Sequence, residues 1–257
     1  MPMETNTGPE LREALQSLEE KLDALLLGMR VARLGPDSVF QFLYRDNLVK
    51  MHLPFADVDV IQRHIVLHYA FYEQKALQIV AKHIAPGSVV LDAGANIGNH
   101  TIFFAMICAA REVHSFEVMR ETFKLLERNV RLNQLQNVRL NNLGIGARTG
   151  RADLAYFGQG NIGGASIQSA GAGGTYEIVT VDGLELPALD FLKIDVEGAH
   201  LDVLNGARET LARCRPRIWV ELRANRNERE AGERLLTELG YRMVKELSRN
   251  DFLFEPG

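Results

Sequence analysis

From residue 88 onward, short apolar runs alternate with amphipathic stretches. Runs at 89–92, 113–117, 138–143, 191–196 and 218–222 read as strands, and the stretches between them at 101–110, 120–133, 201–214 and 228–239 have helical spacing. Short strands separated by helices belong to a parallel sheet covered on both faces. Two closing strand-like pieces, 241–247 and 251–254, flank Ser248-Arg249-Asn250, a hairpin connection that turns the last strand antiparallel. The alternation is interrupted at 151–181, where short strand-like pieces flank a Gly-rich stretch from Gly158 to Gly174. A loop of that kind inside a compact domain is expected to be functional, here a lid.

The chain before residue 88 is patterned differently. Residues 1–9, with Pro2, Gly8 and Pro9, predict a frayed tail. Leu11, Leu15, Leu18, Leu22 and Leu25 then follow in 4-3-4-3 order with polar residues between them, which is a heptad seam. Such a helix either pairs, allowing a homodimer through residues 11–25, or lies against its own domain, and the spacing leaves both open. Gly28, Gly35 and Pro36 mark a linker. Residues 39–53 have strand content and 61–84 read as one or two helices, closed by Pro86-Gly87. The expected organisation is a tail and helix (1–35), a cap region (36–87) and a main α/β domain (88–257).

Composition narrows the function classes. The formal charge of −4 gives no basic field for nucleic acid or an anionic membrane, so neither is expected as a partner. No apolar run approaches the ~20 residues of a membrane span. The polar, acidic start is unlike a signal peptide, and the two cysteines, Cys108 and Cys214, form no disulfide framework. A cytoplasmic protein is the expectation.

The most informative residues join the first strand of the main domain to its helix: Leu91-Asp92-Ala93-Gly94-Ala95-Asn96-Ile97-Gly98-Asn99-His100-Thr101. A strand, a glycine turn and a helix in that order seat a nucleotide-like ligand against backbone N–H groups. A dinucleotide requires G-x-G-x-x-G so that a pyrophosphate can approach bare backbone, and the middle and last glycines are missing here. S-adenosylmethionine has no phosphate and tolerates side chains, and Asp92 suits its ammonium group. Glu117, ending the next strand, is placed to accept hydrogen bonds from a ribose diol, which fits either ligand. The turn therefore favours S-adenosylmethionine, held by Asp92, Gly94, Ala95, Asn96, Gly98, Asn99, His100 and Thr101 together with Glu117.

These motifs resemble the FkbM family of S-adenosylmethionine-dependent methyltransferases over about residues 70–222. The likeness rests on Val90 to Gly98, on Ser115-Phe116-Glu117, and above all on Leu192-Lys193-Ile194-Asp195-Val196-Glu197-Gly198-Ala199-His200 with Val203-Leu204-Asn205-Gly206-Ala207. Val181-Asp182 and Trp219-Val220-Glu221-Leu222 also match. His200 stands where the family usually has Glu, and Val118 where Pro is common. The resemblance implies a class I, Rossmann-like methyltransferase fold with a seven-stranded sheet and a terminal antiparallel strand. It also implies O-methylation of a hydroxyl on a sugar, glycan or secondary metabolite.

Lys193, Asp195 and Glu197 alternate with apolar residues and share one face if the strand stays extended. Carboxylates at the carboxyl end of a central strand point into the crevice where ligands bind, and Glu221 ends the neighbouring strand. Asp195 is expected at the cofactor's methionine end or the acceptor, and Glu197 at the acceptor, with Glu221 completing a catalytic carboxylate set. Helix capping is the structural alternative for Asp195 and Glu197. These three carboxylates also suit Mg²⁺, but no spacing demands a metal and none is expected. Asn142 is a candidate adenine contact, Glu73 a residue that closes over the cofactor, and Tyr72 a core aromatic. A different class of function, a scaffold recruiting a partner through the leucine helix, is the alternative to an enzyme.

Overall fold

The computed structural model describes residues 8–157, 165–169, 173–223 and 228–257. Its main domain is a seven-stranded sheet of β3 (Val89–Ala93), β4 (Glu112–Phe116), β5 (Val138–Asn141), β10 (Phe191–Ile194), β11 (Arg217–Glu221), β12 (Tyr241–Glu246) and β13 (Asp251–Pro256). The spatial order is β12-β13-β11-β10-β3-β4-β5, with β13 antiparallel to both neighbours and the pairs from β11 to β5 parallel. The order reverses between β3 and β10, and open α/β sheets bind ligands at the carboxyl ends of strands at such a switch point. The expected class I architecture with its terminal antiparallel strand is what the chain adopts.

Strand alternation divides the core into two layers. Val90, Phe191, Trp219 and Leu253 face the cap side, while Leu91, Leu192, Ile218 and Phe254 face helices α6 (His200–Asn205), α7 (Arg208–Cys214) and α8 (Glu228–Glu238). A polar row crosses the cap-side face: Ser115, Asp92, Lys193 and Trp219 are consecutive cross-strand partners.

Several elements differ from their sequence patterns. The predicted helix 201–214 is two helices, because Gly206 approaches Gly146 so closely that a Cβ would lie 2.1 Å from its carbonyl oxygen. Asp182 then accepts the Glu209 and Thr210 amides at the start of α7 (3.1 and 2.8 Å). The predicted helix 101–110 is α4 (Asn99–Ile102) followed by a π turn over Phe103–Ile107, where the Cys108 amide reaches back to Phe103 (3.1 Å). Strand 138–143 stops at Asn141, since β6 (Gly144–Ile145) leaves for a second sheet. That sheet, ordered β6-β9-β7-β8 with β7 (Gly150–Phe157), β8 (Ala165–Ser169) and β9 (Tyr176–Val179), fills the interval between the third and fourth strands of the main sheet. Part of the expected lid, β8, is thus a strand paired with β7, while 158–164 and 170–172 lie outside the described residues.

The cap is a hairpin of β1 (Val39–Tyr44) and β2 (Asn47–His52) followed by helices α2 (Val60–His68) and α3 (Gln74–Val80). It docks on α5 (Arg120–Leu132) through Asn129, which accepts the His52 amide and donates to the Ile97 carbonyl (2.6 and 2.9 Å). Helix α1 (Gly8–Val31) starts earlier than expected, with Pro9 in its first turn, and runs through Gly28. Its last turns pack on the domain: Leu27 is buried, and Arg30 donates to the last-turn carbonyls of α2 at Val66 (3.0 Å) and Leu67. The leucine seam does not pack there, since Leu11 to Leu25 remain between 51% and 67% exposed.

Candidate functional site

A cleft of about 270 Å³ opens at the carboxyl ends of β3, β4, β10 and β11. Its floor is set by the turn after β3, where Gly94 (φ +84°), Asn96 (φ +50°) and Gly98 (φ +92°) are all left-handed. Glycine meets that conformation without strain and asparagine tolerates it. Gly94 is further constrained by packing, because a Cβ there would lie 1.9 Å from the Asp195 carbonyl oxygen. The turn is tied to β4 by the Gly94 and Ala95 amides, both donating to Phe116 (3.0 and 2.9 Å).

Glu117 closes the same turn. Its carboxylate accepts the Asn96 amide (3.0 Å) on one oxygen and the Met119 amide (2.8 Å) on the other. Burial is the largest influence on this acid and, with Asp92 and Asp195 nearby, outweighs those two hydrogen bonds and pushes its pKa up to about 7.

Beneath the cleft the polar row forms a connected network. Thr101 donates to Asp92 (2.7 Å) and shares a hydrogen bond with Ser115 (2.9 Å). Lys193, 1% exposed, lies 3.8 Å from Asp92 and 3.0 Å from Asp195, with its ammonium 5.5 Å from the Trp219 ring centroid. Trp219 in turn donates its indole N–H to Asp251 (3.0 Å). Burial opposes the charge on both Lys193 and Asp195, yet their mutual attraction prevails, raising the lysine and lowering the carboxyl.

At the β10–β11 end of the cleft, Arg223 bridges carboxylates. It donates to both oxygens of Glu221 (3.0 Å each) and lies 2.8 Å from Glu197. Burial, with Asp195 and Glu221 nearby, raises Glu197 against the pull of Arg223, whereas the His200 ring and the Arg223 guanidinium overcome burial and lower Glu221. His200 is wholly buried, with Nδ1 2.7 Å from Glu228 and Nε2 3.2 Å from Glu221; burial disfavours its charge, but the two carboxylates push it up to about 9.

The cleft thus brings together Glu73, Gly94, Ala95, Asn96, Asn99, His100, Glu117, Asp195, Glu197 and Glu221 from the sequence-derived set. The remaining residues of that set lie elsewhere. Asp92 is fully buried under the turn with Thr101, so its charge faces Lys193 rather than a ligand's ammonium group. Gly98 packs against Leu126, and Asn142 donates to the Glu117 and Val118 carbonyls (2.8 and 3.1 Å) beside a separate hollow. Glu197 leaves the face shared by Lys193 and Asp195, because β10 ends at Ile194 and the following backbone turns. Asn99 also latches the cap: it exchanges two hydrogen bonds with the Tyr72 backbone (2.9 and 3.1 Å), placing Glu73 3.0 Å from His100. Tyr72, expected in the core, is only partly buried and forms part of the cleft wall.

Two cleft residues had no signal in the pattern. Arg223 lies two residues past Glu221, just beyond its strand, and Asp251 reaches the site because its strand pairs it with Glu221. Only the strand register reveals the second.

The sequence profile of the methyltransferase FkbM domain matches residues 92–253. Methyltransferase 1 of Beauveria bassiana (strain ARSEF 2860) is 25% identical over 185 residues, 62% of this chain and 74% of that protein. The methyltransferase FkbM from Methylobacillus flagellatus KT superposes with TM-score 0.49 at 15% identity, covering 76% of this chain and 52% of its own. The chain therefore spans about half the length of that protein. TYW2 of M. jannaschii, solved with AdoMet, gives 0.43 at 15% identity over 87% of this chain and 89% of its own. An rRNA methylase from Streptococcus thermophilus gives 0.46 at 13% over 72% and 96%. The profile match, which runs from Asp92 in β3 to Leu253 in β13 and so takes in the whole cleft floor, identifies the chain as a member of the methyltransferase FkbM domain family.

Proposed function

We propose that this protein is an S-adenosylmethionine-dependent O-methyltransferase acting on a hydroxyl of a sugar, glycan or secondary metabolite. The observation that carries the reading is the Gly94–Gly98 turn closed by Glu117, a buried carboxylate held by two backbone amides where a ribose diol would donate to it, over a floor without pyrophosphate glycines. The charge of the cleft fits the same cofactor, since six carboxylates and one guanidinium line it and suit a sulfonium and an ammonium rather than phosphates.

When bound, S-adenosylmethionine supplies an electrophilic methyl group. Glu117 orients the ribose, and Asp195, kept ionised by Lys193, faces the cationic methionine end. Glu197, at the acceptor end, accepts the hydroxyl proton as the oxygen attacks. Positioning the acceptor in line supplies much of the rate. The acidic lining supports a non-nucleic acceptor, and an RNA acceptor is the competing reading that a labelled-methyl assay on cell RNA tests. Glu117→Ala is expected to abolish S-adenosylhomocysteine binding by calorimetry, while Glu197→Ala keeps binding and loses single-turnover methyl transfer. Full turnover in the Glu197 variant would return that residue to holding Arg223.

The pKa of Glu117 adds a pH dependence. Its value of about 7 exceeds the ordinary 4.5, so the empty protein carries that proton between those pH values and loses stability as pH rises through the window. A ribose diol donates to the ionised form, so cofactor binding releases the proton. Affinity for S-adenosylhomocysteine is expected to fall about tenfold between pH 8.5 and pH 6. Calorimetry in buffers of different ionisation enthalpy measures the released proton, and a flat profile would remove Glu117 from the ribose.

No helix among the described residues is long and apolar enough to cross a membrane. A cytoplasmic location is supported by the free cysteines; burial raises the Cys108 thiol to about 12, leaving it inert. The exposed leucine seam on α1 supports a homodimer, since its 4-3-4-3 order continues to Met29, 56% exposed. Leu18→Glu with Leu22→Glu is expected to halve the mass measured by light scattering while leaving cofactor binding unchanged. An unchanged mass would remove the dimer and, with it, the scaffold reading.

A further inference from the structure

We propose that Asp195, His200 and Glu221 form a site for one divalent transition-metal cation, of the Mn²⁺ class, at the acceptor end of the cleft. The three residues come from three element ends, the exit of β10, the start of α6 and the end of β11, and their donor atoms all lie within 4.8 Å of one another. A cation about 2.1 Å from each donor requires spacings of roughly 3–4 Å, so side-chain adjustment on the order of 1–2 Å completes the set.

The second observation is His200 itself. It is 0% exposed, and its Nε2 faces Glu221 Oε2 across 3.2 Å in an ion pair whose angle falls short of a hydrogen bond. Its other nitrogen is committed: Nδ1 is 2.7 Å from Glu228, whose second oxygen accepts the Arg223 amide (3.2 Å). A carboxylate on Nδ1 is the arrangement that fixes a metal-binding imidazole with Nε2 toward the ion. Asp195 has room as well, since Lys193 bonds its Oδ2 and leaves Oδ1, whereas Glu221 Oε2 would be shared between the ion and Arg223. Glu197, the third member of the carboxylate trio in the sequence, is turned to Arg223 instead (2.8 Å).

One imidazole and two carboxylates suit Mn²⁺ better than Mg²⁺, which favours an all-oxygen shell with retained waters. The cation takes the place of a proton between His200 and Glu221 and offers open positions toward the cleft, where an acceptor hydroxyl is polarised as it binds. This last consequence rests on the methyltransferase reading; the site itself does not.

The test titrates the full chain, without cofactor, with MnCl₂, following the free-Mn²⁺ electron paramagnetic resonance signal. About one ion per chain is expected, with His200→Gln weakening binding at least tenfold and Glu228→Gln weakening it less. Glu221→Gln provides a second ligand variant should His200→Gln fail to fold, which its melting curve reports. Absence of Mn²⁺ binding by the wild-type chain, or equal binding by the ligand variants, overturns the site and leaves His200 as an imidazolium between Glu221 and Glu228. Separate titration with S-adenosylhomocysteine distinguishes the two claims: cofactor bound without Mn²⁺ sinks the metal site alone, and Mn²⁺ bound without cofactor sinks the methyltransferase reading alone.

Discussion

Gly94→Ala is expected to lose S-adenosylhomocysteine binding altogether and to lower the melting temperature. Two independent effects coincide at this position. The backbone is left-handed at φ +84°, which costs a side-chain-bearing residue about 1–2 kcal/mol. The added Cβ would also sit 1.9 Å from the Asp195 carbonyl oxygen and 2.8 Å from its carbon, and those are backbone atoms that cannot rotate away. Relief requires the turn after β3 to separate from the loop after β10. That movement displaces Asn96 from Glu117 and opens the Glu117 side of the cleft. Calorimetry and a melting curve measure both effects, and affinity within twofold of wild type would show that the turn does not form the cofactor floor.

Lys193→Met is expected to destabilise the protein by about 3–5 kcal/mol, because removing one member of a buried ionic cluster leaves the others uncompensated. Asp92 is fully buried, and Lys193 is the cation beside it, at 3.8 Å. For a chain of this size the loss corresponds to a melting shift on the order of 10 °C. Adding Asp92→Asn to Lys193→Met removes the stranded charge and is expected to recover a substantial part of it. A double variant no more stable than Lys193→Met would show that Asp92 does not depend on the lysine. Because Lys193 also holds Asp195 ionised, the single variant should weaken cofactor binding even where it remains folded.

The sheet was legible because its signal is periodic and repeated: each short strand and each amphipathic helix reports its own burial. The turn after β3 was legible because Gly94 and Gly98 stand at positions where the backbone must be left-handed. Element ends were not, since tertiary contacts set them. The helical pattern is interrupted at Gly206, which packs against Gly146, with Asp182 starting the next helix, and Asn141 ends its strand because the chain turns into the second sheet. Within the site, position along a strand distinguished carboxylates from apolar residues but not exposed ones from buried ones. Asp92 and Asp195 look equivalent in the sequence, yet Thr101 and Lys193 bury the first beneath the cleft, while the second lines it. Asp251 and Arg223 required the pairing of β11 with β13 and the exit from β11. The leucine seam was legible as a seam; that it faces away from the domain follows from Leu27 and Arg30, which anchor only the last turns of α1.

The central claim is that the turn closed by Glu117 binds S-adenosylmethionine. The most direct measurement is the melting temperature of the purified chain with S-adenosylhomocysteine, with NAD and with neither, on the wild type and on Glu117→Ala. Binding to the folded state alone raises stability with ligand concentration, by about 2.7 kcal/mol at a hundredfold excess over Kd. The account predicts a dose-dependent rise with S-adenosylhomocysteine in the wild type, none in Glu117→Ala, and none with NAD in either. Stabilisation by NAD with no response to S-adenosylhomocysteine would contradict it.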